Sequence, residues 1–342
     1  MELKVSPSHP LEWLALLLNR VPMPLLHGQM FPILSKAVLT AADKGVFRYL
    51  SGDSRTLGEI SEFCAFKPEP ARQLLGVLVS LGYLVADKGK YGLSAMAEKW
   101  LRTGSGSDLS DLLIYNNRVV WKWMEQLENY LETGAGIAYH QHFEEPEWQL
   151  YQRAMLAVAR SEVNEFAKRC PVPARAARML DIGGAHGLHV TALRSKYTGL
   201  EADILDLPGA WSAHPEPESF NRMEGNILEV KLEDKRYDLV LMSSLAHHFS
   251  EAENRMIARK VAASLKPGGI YVINEFVHPA RLDSDSGLVG TSSSLFFGLT
   301  STSGTWTIAE TQAWQAEAGL KPMKARRFRT VPGRVLMSAV RV

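Results

Sequence analysis

The sequence predicts an α/β protein in which an open, doubly wound sheet follows a mostly helical N-terminal domain. Three observations carry this. Four apolar runs, 178–182, 200–206, 237–242 and 269–276, have strand length and alternate with helical stretches. The first run leads through Asp181 into a turn of small residues, Gly183-Gly-Ala-His-Gly187, before a helical pattern opens at Leu188. The second ends in an acid, Leu205-Asp206-Leu207-Pro208. A glycine turn after one strand and a carboxylate at the tip of the next is how Rossmann-like sheets hold a nucleoside, the carboxylate accepting from the ribose diol. The plainer reading is a tight strand-to-helix turn and a surface acid.

At 342 residues the chain exceeds the usual size of one core. We expect a winged-helix-like domain over 1–104, a helical connector over 105–170 and a nucleoside-binding domain over 171–342. Residues 10–50 show helical spacing (Leu11, Leu14, Leu18; Leu34, Val38, Ala41), with Gly45 as a stop. Thr56 and Glu59 have the spacing of a capping box opening a short helix. Pro68 starts a second helix with Leu74, Leu75, Leu78, Val79 and Leu81 on its apolar side and Gly82 as its stop. Residues 83–93 read as a hairpin turning near Asp87–Lys90, the wing. A linker follows at Gly104-Ser-Gly-Ser-Asp108. Residues 109–168 read as helical, with Trp121, Trp123, Trp148, Tyr151 and Met155 as apolar bodies, mostly core, one or two flooring a pocket for a flat substrate. Lys266-Pro-Gly-Gly269 turns into the fourth strand, and runs near 323–329 and 334–341, separated by Pro332-Gly333, close the chain as a hairpin.

Composition excludes little. Hydrophobic content of 46% and charged content of 22% are those of an ordinary soluble protein, and a net charge of +1 argues for neither a nucleic-acid nor a membrane partner. Cys64 and Cys170 have no metal-ligand spacing, and no metal site is expected. No apolar run reaches membrane-spanning length, so we expect a cytoplasmic protein. The helix after Pro68 offers only Arg72 and Gln73 to a base edge, which favours packing against another copy of the chain over binding DNA.

The glycine order narrows the nucleoside. A dinucleotide turn starting at Gly183 would need glycines where this chain has Ala185 and Leu188, and there is no phosphate loop. The ligand then has no pyrophosphate to cradle, a description that S-adenosyl-L-methionine fits. The third strand ends in Leu241-Met-Ser-Ser-Leu-Ala-His-His-Phe-Ser250, at the edge where ligands sit in such sheets. His247 or His248 there can take a proton from a substrate hydroxyl at neutral pH, unless both merely cap the junction. Glu275, at the end of the fourth strand, can orient a histidine and stabilise its protonated form. After Gly225, the Asn226 amide can bond an adenine ring with Ile227 on its face; a turn-forming Gly-Asn pair is equally simple.

With these motifs in view, the whole chain resembles the small-molecule O-methyltransferases of the caffeic acid, acetylserotonin and microbial polyketide type. The resemblance rests on Asp181-Ile-Gly-Gly-Ala-His-Gly187, Asp206-Leu-Pro208, Gly225-Asn-Ile227, His247, Lys266-Pro-Gly-Gly269 and Glu275. It implies S-adenosyl-L-methionine as cofactor, with Asp181, Gly183 and Gly187 at its methionine end, Gly184 and Gly225 also among the cofactor-binding residues, Asp206 on the ribose, Leu207 on the base, and Asn226 and Ile227 around the adenine. Ser243 stands where plant members usually carry a lysine near the adenine, His248 replaces the usual Asp after the base as in many microbial members, and Thr305 stands where a second acid often flanks the base. By the same resemblance His247 is the general base, Glu275 orients it, and the N-terminal domain makes a homodimer.

The expected function is methyl transfer to a hydroxyl of a small aromatic or polyketide-like acceptor, with Trp121, Phe296 and Trp306 walling its pocket. Carbon or nitrogen methylation, for example of a 2-oxo acid, is an alternative; so is a non-catalytic winged-helix protein that binds the cofactor or DNA.

Overall fold

The computed structural model describes residues 6–7, 9–137, 139, 143–211, 220–281 and 287–342. The chain forms two compact units that divide between Trp121 and Lys122.

The first unit is mostly helical. Its helix Phe31–Asp43 stops where Gly45 takes a left-handed conformation (φ 82°), and Val46–Tyr49 resumes in a new direction. Thr56 opens the helix Leu57–Cys64 with the expected box: its hydroxyl accepts from the Glu59 N–H while the Glu59 carboxylate accepts from the Thr56 N–H. The helix Pro68–Ser80 follows, burying Ala71, Leu75 and Leu78. Strands β1 (Arg55–Thr56), β2 (Leu84–Asp87) and β3 (Lys90–Leu93) make a small antiparallel sheet in the order β1-β3-β2, turning at Lys88-Gly89. Val38, Phe47, Ile60, Leu75, Leu78 and Leu84 share one core. Outward, Leu11, Trp13, Leu17 and Ile33 are 58–70% exposed.

The second unit is an eight-stranded sheet. In chain order its strands are β4 (Arg178–Ile182), β5 (Glu201–Asp206), β6 (Asn221–Glu224), β7 (Tyr237–Ser243), β8 (Leu265–Phe276), β9 (Leu320–Pro322), β10 (Arg326–Arg327) and β11 (Arg334–Arg341). Their spatial order is β10-β11-β8-β7-β4-β5-β6, with β9 also on β11. From β6 across to β8 neighbours are parallel; β11 runs antiparallel to β8. Strands buried on both faces need continuous apolar runs, and their alternation feeds two cores: Val240 and Met242 join one, Leu239 and Leu241 the other. The chain builds outward from β4 to β6 and then returns to β7 on the other side. The switch of direction therefore falls at β4, where a crevice opens at the carboxyl ends of the strands.

The structure adds to or alters the expected elements in three places. Strand β6 was not expected, because Asn221-Arg-Met-Glu224 is a polar edge strand without an apolar run. The Lys266-Pro-Gly-Gly269 turn lies inside β8, which starts at Leu265 and is irregular in register opposite Tyr237–Leu239. The stretch 109–168 is broken: Gly134 ends one helix in a left-handed conformation, residues 134–137 are irregular, and 138 and 140–142 lie outside the described residues. The helix Glu145–Arg169 then runs on to β4. No helix among the described residues is long and apolar enough to cross a membrane.

Candidate active site

A cavity of about 370 Å³ opens at the carboxyl edge of β4, β5 and β7. The glycine turn forms part of its wall through Gly183 and Gly184. A Cβ on Gly184 would fall 2.5 Å from the Asp181 carboxyl carbon, so only glycine lets this turn fold back over that acid. Gly187, at φ 66°, starts the helix Leu188–Arg194, and a Cβ there would meet the Phe220 ring. Gly187 and Asp181 are not part of the cavity wall. Asp181 is fully buried and neither carboxylate oxygen accepts a hydrogen bond among the described residues; burial raises its pKa to about 7.

Asp206 lines the cavity at the tip of β5. Its Oδ2 accepts from the Ala185 N–H at 3.0 Å and its Oδ1 from the Leu207 N–H at 2.8 Å, which ties the glycine turn to the next strand. Burial nevertheless pushes its pKa up to about 6. Leu207, Gly225, Asn226 and Ile227 line the same side. Asn226 makes the plain turn, its Oδ1 accepting from the Leu228 N–H, and the residue lines the cavity.

Across β4, the exit of β7 supplies Ser243, Ser244, Leu245 and His248 to the wall. Ser243 thus stands on the β7 side, away from Asp206 and Asn226, and accepts from the Asn274 amide at 2.9 Å. The two histidines sit in a short helical turn, Ala246–His248. That turn is held from behind: the Ala246 carbonyl accepts from the Asn254 amide and the Trp306 indole N–H, and the Asn254 amide also donates to Phe249. His247 is buried, its Nδ1 2.9 Å from Glu275 Oε2, while Glu275 Oε1 accepts from the Phe276 N–H. Burial works to raise the Glu275 pKa, and His247, Arg334 and the Phe276 N–H together outweigh it, leaving the pKa lowered and the carboxylate ionised. Phe297 lies against His247, ring centroids 4.0 Å apart. His247 and Glu275 stand behind the wall, with the His247 ring 4.2 Å from that of His248, which faces the cavity.

The aromatic residues expected around an acceptor divide. Trp121 belongs to the first unit. Neither Phe296, which packs edge-on against Phe297, nor Trp306, which packs edge-on against Trp314, lines the cavity. The rings that do are Trp148, Tyr151 and Phe249. Tyr151 and Trp148 continue into a cluster with Tyr139, Phe143 and Trp123, and the Tyr139 hydroxyl lies 3.4 Å from His248 Nε2. Thr305 meets His278, its backbone carbonyl 2.8 Å and its hydroxyl 3.5 Å from Nδ1.

Sequence reasoning missed Glu162, His189 and Ser244 in the wall and Arg334 behind it. One signal was there: Gln152, Met155, Ala159, Glu162 and Phe166 fall on a single stripe of the helix Glu145–Arg169, which puts an acid on an inward face.

These residues suit a nucleoside sulfonium. A half-buried carboxylate stands at the tip of the second strand, Gly183 and Gly184 lie beside it, and polar groups cover the β7 side. Fold and cavity define a class I methyltransferase that uses S-adenosyl-L-methionine. Residues 122–309 match the O-methyltransferase domain family, and the chain belongs to it. Among relatives, N,N-dimethyltransferase OxyT of Streptomyces rimosus is 24% identical over 90% of this chain and 93% of its own. The tetracenomycin polyketide synthesis 8-O-methyl transferase TcmO of Streptomyces glaucescens is also 24% identical, over 85% and 88%. The crystal structure of human N-acetylserotonin methyltransferase with S-adenosylmethionine superimposes with a TM-score of 0.82 over 98% of this chain and 99% of its own, at 19% identity, and shares the fold.

Proposed function

We propose that the protein transfers a methyl group to a hydroxyl of a small aromatic metabolite, with His247 as general base. The observation that carries this is the buried His247–Glu275 pair, 2.9 Å apart beside the cavity. Bound S-adenosyl-L-methionine supplies an electrophilic methyl carbon. The chain's own task is to align the acceptor oxygen with it, because orientation can account for about 7–11 kcal/mol of a barrier. His247 takes the hydroxyl proton, and the Glu275 carboxylate, hydrogen-bonded at Nδ1, stabilises the imidazolium that results. His248 sits beside it at the cavity wall, and the Trp148, Tyr151 and Phe249 rings suit a flat acceptor. The polyketide pathway named for TcmO points to the same acceptor chemistry.

OxyT, named as an N,N-dimethyltransferase, favours nitrogen as a second reading. A neutral amine needs no base before attack, so the two readings separate on one experiment. With a phenol and an aniline of the same skeleton, the hydroxyl reading expects a steep loss of phenol turnover in His247→Ala. Turnover of the aniline alone, insensitive to that change, would select nitrogen.

The protein also acts as a homodimer through its first unit in this reading. Leu11, Trp13, Leu14, Leu17 and Leu18 put an exposed apolar run on one short helical segment, more than a soluble monomer usually shows.

A further inference from the structure

Two carboxylates line the cavity, and the mechanism so far uses only one. Asp206 stands on the β5 side; Glu162, from the middle of the helix Glu145–Arg169, stands with Ser243 and Ser244 on the β7 side. Glu162 is 2% exposed, its charge met by the equally buried Arg334. Its Oε1 accepts from three groups: Arg334 Nη2 at 2.9 Å, His189 Nε2 at 3.2 Å and Asn274 Nδ2 at 3.2 Å. Its Oε2 is 2.6 Å from Arg334 Nε yet accepts no hydrogen bond among the described residues. One oxygen is saturated; the other is a buried atom resting against the Arg334 guanidinium. Burial works to raise the Glu162 pKa, but Arg334 and His189 together outweigh it, and the group stays ionised.

Arg334 completes the arrangement. Buried at the start of β11, it also donates through Nη2 to the Ser243 hydroxyl at 3.1 Å and the Ser244 hydroxyl at 2.6 Å. Each serine oxygen accepts there, which leaves its own hydrogen to donate. Ser244 is held at φ 52°, a conformation that a non-glycine residue adopts at some cost, by that bond and by its N–H to the Asn274 carbonyl. This side of the cavity therefore offers one anionic acceptor beside two hydroxyl donors, the complement of an amino acid's ammonium and carboxylate.

We propose that Glu162 binds the α-ammonium of the cofactor's methionine moiety, with the Ser243 and Ser244 hydroxyls taking its α-carboxylate. The inference rests on the cofactor reading and assigns its amino-acid end to residues outside the glycine turn. Asp206 then answers for the nucleoside and Glu162 for the amino acid, so ligands that differ only in the amino acid separate the two.

The test is titration calorimetry with S-adenosylhomocysteine and with methylthioadenosine, which lacks the amino acid. In Glu162→Gln, affinity for S-adenosylhomocysteine falls about tenfold or more, as expected for a lost hydrogen bond to a charged group, while affinity for methylthioadenosine is unchanged. Equal losses for both ligands would make Glu162 only a structural brace and overturn the proposal. If Arg334 left unpaired unfolds that variant, the comparison of ligands on the wild-type protein decides. The wild-type protein gives a third arm: deaminated S-adenosylhomocysteine binds about tenfold or more weakly than the parent, and equal binding overturns the proposal. Failure of the wild type to bind either adenosine ligand would instead remove the cofactor reading itself.

Discussion

His247 Nδ1 lies 2.9 Å from Glu275 Oε2, and both side chains are almost wholly buried behind the cavity wall. A carboxylate bonded at Nδ1 fixes the imidazole with its other nitrogen as the basic one. His247→Ala is therefore expected to lower kcat by about 10²–10⁴-fold with cofactor affinity unchanged. Glu275→Gln keeps a hydrogen-bonding partner but not the charge, and loses less. Single-turnover rates with labelled cofactor, beside calorimetric affinities, check both; loss of affinity in step with rate would contradict the assignment.

In the proposed reading Asp206 meets the nucleoside as an anion, while burial raises its pKa to about 6. Protonation removes acceptor capacity, so cofactor affinity is expected to fall as pH drops through about 6. Asp206→Ala removes it at every pH, by about a hundredfold if two charged hydrogen bonds are lost. Affinity independent of pH between 5 and 8 in the wild type would count against this role.

Asp181 leads to a stability prediction. Its folded pKa of about 7 lies above the ordinary carboxylate range because burial disfavours the anion. The folded state then holds the proton more tightly, so the cost of ionising Asp181 is absent below the unfolded pKa, grows through the window and is complete above about pH 7. Asp181→Asn removes that cost, and its gain in Tm over wild type should be larger at pH 8 than at pH 5. A gain that is equal at both, or larger at pH 5, would contradict the shift.

Gly184 is the position where size decides. Gly184→Ala sets a Cβ 2.5 Å from the carboxyl carbon of a side chain that has no room to withdraw. We expect a loss of about 1–3 kcal/mol by chemical denaturation, as for overpacking, together with weaker cofactor binding. Unaltered stability would mean the turn relaxes freely.

For the dimer, Leu17→Glu on the exposed apolar run should shift the protein to monomer in sedimentation without changing its circular dichroism. A wild type already monomeric at the same concentration would contradict the assembly.

The central strands were legible because a parallel sheet buried on both faces must write continuous apolar runs, and 178–182 matches β4 to the residue. Strand β6 has no such run and was invisible. Asp206, Asn226 and Ile227 were legible because backbone geometry puts strand tips at the crevice whatever the side chains do. Glu162 and Arg334 were not. They lie far apart in the chain and meet only when β11 pairs with β8, so no local pattern joins them. Phe296 and Trp306, expected at the acceptor, do not line this cavity: Trp306 braces the histidine turn and Phe296 packs on Phe297.

The most direct test of the account is transfer of labelled methyl from S-adenosyl-L-methionine to a panel of phenols, wild type beside His247→Ala. The account predicts label on a hydroxyl oxygen, and a rate about a hundredfold or more lower in the variant at equal cofactor affinity. Label on nitrogen or carbon, or equal rates in the two proteins, would contradict it.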